Sequence, residues 1–89
     1  MADSTLNASY ERVDTDGDPI PVATVGDLTI TGRSGGNTLE VLGSRGDVVR
    51  TIVNPELAAE FRAAVANYTN GAPKSDAQLT QTARSVFRS

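Results

Sequence analysis

At Asn54 the hydrophobic pattern of this chain changes from a period near two to a period near 3.6, and that switch restricts the fold more than any other feature. In NPELAAEFRAAVANYTNG, Asn54 is placed to cap a helix and Pro55 takes the first helical position, where a missing N–H costs nothing. Glu56 then sits beside the positive end of the helix dipole. Leu57, Ala58, Phe61, Val65 and Tyr68 recur at helical spacing, an apolar stripe that needs a sheet or another helix beneath it. Asn70 and Gly71, followed by Pro73, supply the stop, so the expected helix covers about 55–69.

A second helix is expected over about 76–87. Ser75 and Gln78 stand in a capping-box relation, and Leu79, Ala83, Val86 and Phe87 form its apolar face. Arg84 and Arg88 complement the dipole at its far end. Thr80 and Thr82 lower its intrinsic helicity, so its order should depend on docking.

Before Asn54 the texture is that of strands. IPVATV, DLTITG, TLEVLG and VVRTIV are short runs of Val, Ile, Leu and Thr separated by Gly, Asp, Asn and Ser. Leu28 and Ile30 share one face of the first hairpin strand, and Leu39 and Val41 share one face of the next. The GRSGGN loop between them offers three glycines and an asparagine for turn conformations. VVRTIV carries apolar residues in both phases, which points to cover on both sides.

Residues 1–19 read differently. They are dominated by Ser, Thr, Asn, Asp and Gly, with one base against five acids over residues 1–18, and are expected to form an acidic flexible arm. The expectation is therefore an α+β protein: that arm, then one domain over 20–89 in which a small antiparallel sheet of three to four strands spans about 20–53 and two C-terminal helices follow. With 89 residues, two Phe, two Tyr and no Trp, its core is small, and cover from a partner or an identical copy would add stability.

The candidate sites are few. Asp14, Asp16 and Asp18 are the candidates for a metal, matching the first three ligand positions of an EF-hand loop. Pro19 stands where that loop needs glycine and Val25 where it needs a bidentate Glu, so DTDGDP is read as an acidic turn and no metal or other cofactor is expected. Arg45-Gly46-Asp47 matches an adhesive tripeptide, and it also suits a hairpin turn. Arg33, Arg45 and Arg50 are the candidates for nucleic-acid or anion contact, if the two hairpin ends lie together. No aromatic accompanies them on a polar strand phase, and the net charge of −3 provides no basic footprint. Tyr10, Val13, Val49, Val53, Val86 and Phe87 are the candidates for protein contact.

With no Cys and no His, thiol chemistry, a Ser-His pair and Cys/His zinc are excluded. Glu56 and Glu60 read as the solvated side of their helix, and the expectation is a non-enzymatic protein. Its expected role is structural: protein–protein interaction within a homo-oligomer or larger assembly, with an accessory component of a virion as one setting. The alternatives are a small nucleic-acid-binding regulator using the arginine-bearing sheet face, and a small inhibitor of a partner protein. No run of residues is apolar and long enough for a membrane span, and no basic leader precedes the body, so the expected location is cytoplasmic by default.

Overall fold

The computed structural model describes residues 6–11, 19–33 and 36–89. Five strands precede two helices: β1 (Leu6–Glu11), β2 (Ile20–Val25), β3 (Leu28–Thr31), β4 (Thr38–Leu42), β5 (Val48–Val53), α1 (Pro55–Thr69) and α2 (Ser75–Arg88). The strands form one antiparallel sheet in the order β1-β2-β3-β4-β5, so each strand pairs with its neighbour in sequence and β1 and β5 are the edges.

The sheet thus has five strands where three to four were expected. The extra one lies inside the segment read as a flexible arm: Leu6 to Glu11 pairs along its whole length with Val25 to Ile20. LNASYE is polar in composition but alternates strictly, with Leu6, Ala8 and Tyr10 opposite Val25, Ala23 and Pro21. Leu6 and Ala8 pack against the core, and the Tyr68 hydroxyl on α1 donates to the Leu6 carbonyl at 3.2 Å. One face of β1 therefore has both apolar cover and a polar anchor. Asp14, Asp16, Asp18 and Val13 lie outside the described residues.

Residues directly opposite in antiparallel strands share a face, so the register sorts the side chains. One face collects Ala23, Ile30, Leu39, Val41 and Ile52, all buried under the helices. Leu57, Ala58, Phe61, Ala64 and Val65 of α1 and Leu79, Ala83 and Val86 of α2 complete one continuous core. The other face carries Ser9, Val22, Thr24, Thr29, Glu40, Leu42, Thr51 and Val53, with no helix over it among the described residues. On that face Thr31 is nonetheless buried, and its Oγ1 accepts from the Arg33 N–H.

The helix starts differ in construction. Asn54 caps α1 as its sequence foretold, its side-chain oxygen accepting from the Glu56 and Leu57 N–H groups at 3.1 Å each. At α2 the expected capping box is absent. Ser75 is the first helical residue and is buried, Lys74 takes the cap position at φ 63°, and Gln78 accepts from the Asn67 amide of α1 instead. Of the five residues joining the helices, Gly71 at φ 75° and Lys74 are left-handed, and the helix begins at Ser75 itself, one position too early for Ser75 to serve as its cap.

Because the Tyr68 hydroxyl is the polar tie between α1 and the edge strand β1, Tyr68→Phe should lower stability by about 0.5–1.5 kcal/mol. Urea denaturation measures it, and an unchanged midpoint would show that the anchor contributes nothing.

Candidate functional site

β5 differs from every other strand in what it leaves in solvent. Val48, Val49 and Val53 are 43%, 56% and 73% exposed, whereas Ile52 between them is 8% exposed and belongs to the core. The reason is local. Val41 pairs with Arg50 and Leu42 with Val48, so Val49 is the extra residue of a β-bulge. The bulge explains the apolar residues in both phases of VVRTIV, and among the described residues the cover expected on both sides exists on the helix side only.

The backbone of β5 is available as well. The Asn54 N–H donates to the Asn37 carbonyl at 2.9 Å, which makes that opposed pair hydrogen-bonded. Hydrogen-bonded pairs alternate along an antiparallel ladder, so Ile52 opposite Leu39 and Arg50 opposite Val41 also face β4. The N–H and C=O groups of Thr51 and Val53 then point away from the sheet, as those of an edge strand must.

Edges are commonly guarded by a charge, a proline or a β-bulge, and the bulge of β5 lies near its start, leaving residues 50–53 in regular pairing. β5 has no proline, and Arg50 is its one charged residue. That guanidinium is committed elsewhere: Nη1 donates to the Phe87 carbonyl at 2.9 Å and to the Ser89 carbonyl, at the negative end of α2. Arg50 and Phe87, with Leu28, Val41 and Val49, line an open notch on the helix side of the edge. Arg50 therefore ties β5 to α2 without shielding the strand.

The opposite edge is more polar. β1 exposes Asn7, Ser9 and Glu11, and its large exposed residue is Tyr10 at 44%. Of the expected contact residues, Val49, Val53 and Tyr10 are on the surface, Phe87 is half-buried against the core, and Val86 is fully buried within it. Val86 is thus a packing residue, assigned by helical spacing that cannot separate the core side of a stripe from its margin. Val48 was missing from the expectation. It becomes recognisable only once the bulge places it on the open face with Thr51 and Val53.

The three arginines are not brought together. In a meander the β3–β4 and β4–β5 connections lie at opposite ends of β4, which separates Arg33 from Arg45. Arg33 Nε pairs with Glu40 Oε1 at 2.9 Å, and Arg50 is held at the end of α2. Arg45 is exposed in the tight turn closed by Gly43 N–H to Asp47 carbonyl and Gly46 N–H to Gly43 carbonyl, where Gly46 has φ 83°. Arg45-Gly46-Asp47 thus has a structural role in that turn.

Among the described residues there is no group of three or more Asp, Glu, Cys or His able to hold a metal, and no helix is long and apolar enough to cross a membrane. Compared with known proteins, the chain matches no family model, no curated protein and no solved structure.

The exposure difference along β5 is testable by charge insertion. Val53→Lys should change stability by no more than about 0.5 kcal/mol at low protein concentration, while Ile52→Lys should cost about 3 kcal/mol or more. Thermal unfolding of the two variants decides it, and equal losses would contradict the assignment of faces.

Proposed function

We propose that this chain is a non-catalytic interaction protein that enters an assembly through the β5 edge of its sheet. The observation that carries the reading is the coincidence of Val48, Val49 and Val53 in solvent with a strand edge that has no proline and whose one charge is engaged at the end of α2. Outward N–H and C=O groups supply a template for a further strand, and the valines supply apolar area alongside it. A domain of this size also gains stability when such area is covered, because its own core is small.

The competing reading as a nucleic-acid regulator lacks a comparable support. Arg33 is in an ion pair with Glu40, Arg50 serves α2, and Arg45 lies at the other end of β4 from Arg33. A dispersed set of this kind offers no continuous basic surface.

The reading is tested by affinity capture on the immobilised full chain, with the mass of each retained species measured. Wild type should retain a second copy or a defined protein, and Val49→Lys/Val53→Lys should lose it. Retention of the same species by both chains would contradict a role for β5.

A further inference from the structure

We infer that the occupant of the β5 edge is a second copy of this chain, paired antiparallel about a two-fold axis through Thr51. The inference rests on the reading of β5 as a contact edge and adds the identity of the partner and the register.

The register follows from faces and hydrogen bonds. A two-fold perpendicular to the sheet must place residues of the same face opposite one another. Thr51 directs its N–H and C=O outward, so it can meet its own counterpart as a hydrogen-bonded pair. One slot further, Arg50 stands opposite Ile52 of the other copy, both on the helix-covered face. A two-fold centred on Arg50 instead would oppose two guanidinium-bearing residues directly, which is unfavourable.

The bulge makes the edge self-complementary. With Val49 as the extra residue, Val48 fills the open-face slot immediately before Arg50, and Val53 fills the open-face slot beyond Ile52. The two valines flank Thr51 symmetrically. The two-fold therefore sets Val48 of each copy opposite Val53 of the other, covering two of the most exposed apolar side chains in the described residues. β-branched pairs directly across strands are among the favourable ones.

The product is a continuous ten-stranded sheet with all four helices on one side. A contact built on one strand of six residues is small, so the dimer should be reversible and concentration-dependent.

The absence of cysteine makes the register directly readable. Thr51→Cys, changing an exposed residue, introduces a single thiol that the two-fold places opposite its twin at a Cα separation of roughly 5.5 Å, within disulfide range. Under a mild oxidant at micromolar protein it should form covalent dimer on the order of a hundredfold faster than Ser9→Cys on the β1 edge, because the held thiols meet at roughly millimolar effective concentration. Adding Val53→Lys to Thr51→Cys should remove that advantage. Cross-linking no faster than Ser9→Cys, or unaffected by Val53→Lys, would overturn the inference. If capture by wild type and its loss in Val49→Lys/Val53→Lys persist in that case, the edge serves a different protein; if capture shows no such difference, the reading of the edge falls too.

Discussion

Two helices of 15 and 14 residues can cover only one face of a five-stranded sheet, and the arrangement of this protein follows from that constraint. The covered face takes the large apolar side chains, with Phe61 fully buried among Ala23, Ile30, Leu39, Val65 and Leu79. The uncovered face is filled largely with Thr, Ser and Glu, which tolerate solvent and still suit a strand. An all-antiparallel sheet with one wet face is stable in this form, whereas a parallel sheet would need cover on both sides. The exceptions to the polar pattern are then informative, and the most exposed of them gather on β5.

Much of this was legible before any coordinates. Asn54-Pro55-Glu56 announced α1 because cap, first-turn proline and first-turn acid all agree, and the side chain of Asn54 makes the two hydrogen bonds expected of it. Leu28, Ile30, Leu39 and Val41 alternated clearly enough to locate two strands and their core face. β1 was missed because the weight of Asn, Ser, Asp and Thr around it argued for an arm. The strict alternation of Leu6, Ala8 and Tyr10 was the available signal, and it is modest, since Ala8 buries little surface. What makes β1 a strand is tertiary: the β2 ladder, the α1 surface and the Tyr68 hydroxyl.

The candidate site was legible only in part. Val49 and Val53 were drawn out by the mixed phase of VVRTIV, but the bulge that causes the mixing depends on pairing with Val41 and Leu42. Val86 was placed at a surface because helical spacing marks an apolar stripe without ranking its members. The helix docks with Val86 at its buried centre and Phe87 at its margin. Arg50 illustrates the same limit from the polar side: a residue 37 positions later in the chain, Phe87, takes up its guanidinium through a main-chain oxygen. No local pattern encodes that contact, and it is this contact that leaves β5 without a guarding charge.

The central claim is that β5 is an edge whose outward amides are completed by another copy. Amide hydrogen exchange followed by NMR over a range of protein concentrations tests it most directly. The account predicts that Thr51 and Val53 exchange rapidly in dilute protein and slow as concentration rises, while Ile52, bonded to β4, stays slow throughout. Exchange at Thr51 and Val53 that is independent of concentration, or protection that develops on β1 instead, would contradict it.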